Sequence, residues 1–305
     1  MNLLRNKIFI RITKLTLLVI VLFFVVKNII DNFSNIKEIN ISDLNYGFIL
    51  PALIVSVISM FIPVFAWKYL LGTLGSDLKL SKAVRIWFIS NLGRYIPGKV
   101  WQISGLIVLS NKEGVAKKVS STSVIYSQIV ANLTGLFLGS LLMSQDHNNP
   151  EYYAYPWFAY NIIGIAVILM VLPYFINNFI DYALKLLKKP KNEFKIGYLN
   201  FSIYTSMQFM NWLIMGLSFV IFVNIFTELS VIQHPVSLFI LPISWTAGLL
   251  AIFAPGGIGV REGIMTFYLL MFIDPAYAAV IPWIYRIWLT FFEMLLAGVF
   301  YFAEK

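Results

Sequence analysis

Cysteine is absent from this chain, and histidine occurs only twice, as His147 and His234. The first absence excludes a disulfide framework, thiol catalysis and thiolate metal sites. The second leaves no paired-histidine spacing from which a metal centre is built. Neither a metal nor a cofactor is therefore expected, and both histidines read as residues of polar connecting loops. Charge is scarce as well, since Asp, Glu, Lys and Arg make up 12% of the 305 residues. No long polar stretch leaves room for an extramembrane domain. What fills the chain is apolar: 59% hydrophobic residues and a mean hydropathy of +0.80. A soluble globular domain does not carry that balance. The expectation is a single all-α, polytopic membrane bundle over residues 1–305, with about seven to nine membrane segments.

The few charges are unevenly placed. Arg5, Lys7, Arg11 and Lys14 precede the apolar run LTLLVIVLFFVV that starts at Leu15. That run ends in KNIIDNF, not in the small residues of a cleavage site, so it reads as an uncleaved first span. Further spans are expected at 46–70, 121–143, 157–179, 200–226, 236–254 and 277–302, with a short apolar piece at 263–273. The loops 31–45, 145–156 and 227–236 and the turn at Asp274 hold one basic residue, Lys37, against seven acidic ones. Lys79, Lys82, Arg85, Lys112, Lys117, Lys118 and the lysines of KLLKKPKNEFK at 185–195 fall on the other side. An excess of Lys and Arg marks the cytoplasmic face, which puts both termini inside. The net charge of +9 thus reports topology and not nucleic-acid binding.

Two stretches break the pattern of spans. SNLGRYIPGKVW, from Ser90 to Trp101, joins AVRIWFISNL to VWQISGLIVL. Each apolar piece is about ten residues, roughly 15 Å of helix against a hydrocarbon core of about 30 Å. Pieces that short, joined by GRYIPGK, predict a re-entrant hairpin. Pro97 and Gly98 would end one helix and open the next, whose free N–H groups attract anions. Arg94 and Lys99 add full charges beside that end, and Arg suits a phosphate gripped through two parallel hydrogen bonds. Tyr95 and Trp101 supply amphipathic rings for an interface or an acyl chain. An ordinary juxtamembrane loop with positive-inside charges explains the same residues.

APGGIGVREG, from Ala254 to Gly263, repeats the design. Pro255, Gly256, Gly257 and Gly259 interrupt an apolar run, and Arg261 and Glu262 follow directly. Glycine lets backbone come close to a ligand, and charges at membrane depth are costly and tend to be functional. Arg261 is a candidate phosphate ligand, with Glu262 to balance it or to carry a coupling proton. The two breaks form an inverted pair if the second enters from the opposite face, as in many transporters. The alternative is two plain spans with GGIGVREG as a cytoplasmic loop, or a helix cap with an adjacent ion pair.

Arg286 and Glu293 lie seven apart in the last span and so share a helix face. Glu262 and Arg94 are candidate partners for them, as a buried ion pair or a coupling site. Gln128, Asn132, Gly135 and Gly139 form one helical stripe, and Gln208, Asn211, Met215 and Ser218 another. Stripes of small and polar residues ordinarily pack membrane helices together. Beside two broken helices they also suit a polar pathway.

The pair GRYIPGKVWQ and APGGIGVREG resembles the transmembrane domain of bacterial lysylphosphatidylglycerol synthases, which also occurs alone in flippase-like inner-membrane proteins. The resemblance runs from about residue 10 to 300 in motif order and span layout. It implies a transporter-like fold that moves lipids between leaflets of a bacterial cytoplasmic membrane. Arg94, Pro97, Gly98 and Lys99, with Pro255, Gly256, Gly257, Gly259, Arg261 and Glu262, are the matched positions. In the synthases a cytosolic domain transfers lysine onto the lipid. Here the chain ends at YFAEK, just after the last span, so no lysyltransferase activity is expected. The expected partners are the membrane and an anionic phospholipid or a polyprenyl-phosphate-linked lipid. Two rival readings are an accessory subunit of envelope assembly and a membrane-embedded transferase. The second is disfavoured because the acidic residues of the outer loops include no Asp-x-Asp pair.

Overall fold

Length and apolarity decide where the long helices form. The computed structural model describes residues 44–95, 100–143, 196–230, 233–251 and 254–303, with Ser42, Gly164, Tyr174, Phe175 and Asn178 besides. The expected first span, the span at 157–179 apart from the four residues just named in it, the basic cluster at 185–195 and the residues Ile96, Pro97, Gly98 and Lys99 lie outside them. Among the described residues the chain forms α1 (Ile49–Thr73), α2 (Leu80–Asn91), α3 (Val100–Lys112), α4 (Lys117–Met143), α5 (Tyr198–Val223), α6 (Gln233–Leu250), α7 (Val260–Leu269) and α8 (Pro275–Phe302). No strand occurs among them. The protein is thus an all-helical membrane bundle. Three helical segments are long and apolar enough to cross a bilayer by themselves: 46–73, which contains α1, together with α5 and α8. At 25, 26 and 28 residues, α1, α5 and α8 exceed the roughly 20 that a span requires. Their outer faces are apolar: Leu50, Ile54 and Ile58 on α1 and Ile287, Phe291 and Met294 on α8 are exposed.

α2 and α3 are different. With 12 and 13 residues each is only about 18–20 Å long, short of the roughly 30 Å core. They pack antiparallel as a hairpin. Lys82 pairs with Glu113 at its base. Nearer the tip, Gln102 donates to Asn91 Oδ1 at 2.7 Å, and a Cβ on Gly105 would meet Ser90 Oγ at 3.0 Å. The base adjoins the end of α1, through the turn after Thr73, and the start of α4.

α6 and α7 form a second hairpin that enters from the other end of the bundle. Its base is joined by Gln233 Nε2 donating to the Phe272 carbonyl at 3.3 Å. That end also holds the start of α1 and the end of α5, because Asn45 N donates to the Ile225 carbonyl at 2.8 Å. α7, with 10 residues, is about 15 Å long and cannot cross. The sequence leaves two plain spans open as an alternative for this region, and the geometry is that of a hairpin. His234 falls inside α6 and not in a connecting loop.

Close approach of α5 to α6 depends on one glycine. Pro242 lies inside α6 and has no N–H, so the Leu238 carbonyl four residues earlier loses its helical donor. Gly216 sits against that oxygen, and a Cβ there would overlap it. Backbone on both sides leaves little to yield. Gly216→Ala is expected to destabilise the fold by about 1–3 kcal/mol through overpacking. Gly298→Ala on α8, where a Cβ meets nothing within 4 Å, is expected to be neutral or to stabilise by up to about 1 kcal/mol. Thermal unfolding of the two variants in one detergent separates these outcomes.

Candidate functional site

The tips of the two hairpins meet in the middle of the bundle. The first tip is the 3-10 turn Leu92–Tyr95 and the second is the 3-10 turn Pro255–Gly257. A Cβ on Gly256 would lie 3.5 Å from the Arg94 carbonyl oxygen and 4.0 Å from Tyr95 Cδ1. Gly256 and Gly257 have φ of +60° and +70°, a region that residues with a Cβ rarely adopt. That conformation turns the chain sharply enough to start α7 at membrane depth.

Five charged side chains gather around this junction. Arg94 Nη2 lies 2.7 Å from Glu293 Oε1. Glu293 also accepts a hydrogen bond from the Tyr95 hydroxyl at 2.8 Å, and that hydroxyl lies 3.1 Å from Thr290 Oγ1. Arg286 pairs with Glu262 and donates to the Gly256 carbonyl at 3.2 Å. Glu262, only 2% exposed, accepts from Gly259 N at 2.7 Å with its other oxygen. That bond satisfies an N–H at the start of α7. Each tip is therefore tied to α8 by one ion pair. These are the candidate partners that the sequence offers for Arg286 and Glu293. Glu262 is spent on Arg286 and its own helix start, and not on its neighbour Arg261.

Arg261 is the exception among the five. It forms no ion pair or hydrogen bond among the described residues, and its Nε is buried without a partner. Its guanidinium carbon sits 3.7 Å from the centroid of the Trp245 ring, within cation–π range. Gly248 and Gly257 wall the stem on the other sides. A Cβ on Gly248 would come within 2.5 Å of Arg261 Cγ, and one on Gly257 within 2.9 Å of its Nε. The slot fits an arginine only because two of its walls lack side chains. Arg94 approaches the same Trp245 ring, at 5.2 Å.

These groups open onto a cavity of about 210 Å³. Arg94, Arg261, Arg286, Glu262 and Glu293 line it together with Asn91, Gln102, Gln128, Asn132, Gln208 and Asn211. The two polar stripes are each divided between roles. Gln128 and Asn132 face the cavity, whereas Gly135 and Gly139 give α4 its close contact with Thr246 and Ile243 of α6. Gln208, Asn211 and Met215 line the cavity, and Ser218 hydrogen-bonds Tyr285. Pro63 of α1 and Pro282 of α8 are lining residues too, so both interruptions of the helical ladder fall at cavity level.

Of the candidates read from the sequence, Arg94, Gly256, Gly257, Arg261, Glu262, Arg286 and Glu293 come together here. Gly259 contributes through its backbone N–H, and Pro255 lies in the tip turn. Nothing in the sequence singles out Trp245 or Gly248, although they hold Arg261. Tyr95, which reads as an interface ring, turns inward to Glu293; Trp101 stays exposed. Among the described residues no cluster of three His, Cys, Asp or Glu is arranged to hold a metal ion.

A family model described as the lysylphosphatidylglycerol synthase TM region matches residues 11–298 of the chain. The protein belongs to that family. A search of curated proteins and a search of solved structures each find no match. Membership in the lysylphosphatidylglycerol synthase TM family agrees with the apolar helices in placing the protein in a membrane and connects it to lipid metabolism or transport.

Proposed function

We propose that this protein is a lipid transporter of a bacterial cytoplasmic membrane. It moves a lipid with an anionic headgroup, an anionic phospholipid or a polyprenyl-phosphate-linked lipid, between leaflets. The observation that carries this reading is the buried guanidinium of Arg261, which has no ion pair among the described residues and whose Nε lacks a hydrogen bond, in a polar cavity between two re-entrant tips. A charge at that depth without a partner is costly unless a ligand of opposite charge visits it. Broken helices meeting near the bilayer midplane are a recurrent plan for substrate sites in transporters. Positive-inside charge orients the bundle with both termini cytoplasmic, the α2–α3 hairpin entering from the cytoplasm and the α6–α7 hairpin from outside. The two carboxylates among the described lining residues, Glu262 and Glu293, are each paired with an arginine, which leaves Arg261 as the charge available to a headgroup. The headgroup would sit in the cavity while its tails remain in lipid.

The test is lipid movement in proteoliposomes of the full chain. Fluorescently labelled phosphatidylglycerol and a labelled polyprenyl phosphate are followed by dithionite accessibility, with and without an imposed proton gradient. Wild-type protein is expected to accelerate movement of at least one of them over empty vesicles. Arg261→Gln is expected to slow it by about tenfold or more, as loss of charged hydrogen bonds predicts. An unchanged rate in a folded Arg261→Gln protein would overturn the site. No movement of either lipid under any gradient would count against transport and favour an accessory role in envelope assembly.

A further inference from the structure

Glu262 and Glu293 differ in a way that bears on what drives transport, an inference that rests on the transport reading. Glu262 has both oxygens committed to groups that only donate. Oε2 accepts from Gly259 N at 2.7 Å, and Oε1 faces Arg286, which also braces the Gly256 carbonyl at 3.2 Å. A backbone N–H and a guanidinium have no lone pair with which to accept. A proton on Glu262 would find no acceptor among these partners and would loosen the turn that they hold. The surroundings of Glu262 suit the ionised form alone.

Glu293 is set differently. Oε1 lies 2.7 Å from Arg94 Nη2, and Oε2 accepts from the Tyr95 hydroxyl at 2.8 Å. That hydroxyl lies 3.1 Å from Thr290 Oγ1. Hydroxyls donate and accept alike. With Glu293 ionised, Tyr95 donates to it and accepts from Thr290. With Glu293 protonated, the carboxyl donates to Tyr95 and Tyr95 donates to Thr290. The row reverses its hydrogen bonds without moving a heavy atom, and Thr290 then donates to its own helix, as threonines in helices do. Arg94 is the group that loses by the change. Its guanidinium gives up a counter-ion and is freed to grip another anion in the cavity that it lines.

Toward the end of α8 the surroundings are apolar. Phe300 lies seven residues beyond Glu293, about 10 Å along the helix. Its ring centroid is 5.8 Å from that of Phe88 on α2 and 6.0 Å from that of Phe61 on α1. α5 and α1 also reach α8 through Ser218 on Tyr285 and Ser56 on Trp288, which are not ionisable on the facing side. Among the described residues, the ionisable groups that share the cavity with Glu293 are Arg94 and Tyr95 from the first tip, Arg261 and Glu262 from α7, and Tyr285 and Arg286 from its own helix.

We infer that Glu293 is a proton-binding site, and that a proton and the anionic headgroup are taken up together. The phosphate replaces the Glu293 carboxylate on Arg94, and Glu293 Oε2 forms an O–H bond with a proton drawn from solvent. No other bond is made or broken. Each ligand favours the other because both oppose the Arg94–Glu293 pair, and such coupling is reciprocal. Transport is then symport of a lipid anion and a proton, from the acidic side to the alkaline side.

Binding to the full chain in detergent tests this, with dihexanoyl phosphatidylglycerol as the probe. A diester lacks the second ionisation near about pH 6 that a phosphomonoester has, so any pH dependence belongs to the protein. Tryptophan fluorescence reads occupancy, because Trp212 and Trp245 line the cavity, and an indicator dye in weak buffer counts protons. Wild-type affinity is expected to rise about three- to tenfold for each unit fall in pH between about pH 8 and pH 5, with up to about one proton taken up per lipid. Glu293→Gln keeps the shape of the protonated side chain. It should bind as tightly as wild type does at the acidic end, with a flat profile and no proton uptake. If only a short polyprenyl phosphate binds, the difference between wild type and Glu293→Gln reads the same way. In proteoliposomes a pH gradient should drive the labelled lipid from the acidic to the alkaline side, whichever way the protein is inserted. Tyr95→Phe should slow that movement by about tenfold or more, as loss of a proton relay predicts. Binding by the wild type that ignores pH, a slope that persists in Glu293→Gln whether or not Lys99→Gln removes it, or movement toward the acidic side would each overturn the inference and leave transport standing. No binding of either lipid at any pH would overturn the transport reading and this inference with it.

Discussion

Glu262→Gln is expected to lower the stability of the folded protein by about 3–5 kcal/mol, the range for removing one partner of a buried ion pair. The substitution keeps the shape of the side chain and an oxygen able to accept from Gly259 N. What it removes is the charge opposite Arg286, whose other described contact is the Gly256 carbonyl. A guanidinium at membrane depth then lacks its counter-ion, and the turn at Gly256 is held by a poorer arrangement of dipoles. Glu262→Ala should be worse, since it also leaves the Gly259 N–H without its acceptor. The decisive companion is Glu262→Gln with Arg286→Met. Removing both charges should recover much of the loss, because the penalty lies in the orphaned charge and not in a missing attraction. Unfolding of wild type, the two single variants and the double variant in one detergent gives the coupling energy directly. If Glu262→Gln changes the midpoint no more than Gly298→Ala does, the pair has no structural weight.

Gly248→Ala is expected to abolish the Arg261 slot while leaving the helix around it intact. Alanine is the better residue for a helix interior, by roughly 1 kcal/mol. Here the added methyl would stand 2.5 Å from Arg261 Cγ and 2.7 Å from its Nε. Those atoms belong to the stem of the side chain, which is held on its other face by Trp245. The arginine must leave. Lipid movement should fall by about tenfold or more, as for Arg261→Gln. Stability should fall by about 1–3 kcal/mol through overpacking. Combining Gly248→Ala with Arg261→Ala removes the clash, so stability should return while transport does not. A Gly248→Ala protein with wild-type transport would show that the guanidinium works from some other position.

The fold was legible where physics acts locally. Apolar runs such as FILPALIVSVISM and IMTFYLLMFI announce membrane helices, and their lengths separate spans from half-spans. Pro and Gly at 255–257 mark where a helix stops, whereas Pro97 and Gly98 lie outside the described residues. Arg286 and Glu293 could be placed on one face from their spacing alone. Beyond that the sequence fell short, for specific reasons. Trp245 sits in an apolar run where any large ring looks like packing, and only the turn at Pro255–Gly257 brings it under Arg261. Gly248 looks like a small residue for helix contact; its role is defined by a side chain 13 positions later. Glu262 and Arg261 are adjacent, which suggests mutual compensation. Adjacent residues on a helix point about 100° apart, and each finds its partner on a different element. The stripes on α4 and α5 have one periodicity but two tasks, and only the positions of α6 and α8 show where lining gives way to packing.

The two ion pairs on α8 have a mechanical consequence. Glu293 holds one hairpin and Arg286 the other, and seven residues of helix place them about 10 Å apart along a common axis. The two attachments have opposite polarity on a single stiff rod. A slide or roll of α8 is therefore transmitted to both half-helices together, from opposite ends of the bundle. Neither can be displaced by such a motion in isolation. If the protein carries lipid as proposed, that shared rod is the part that couples the two hairpins, so that one side closes as the other opens.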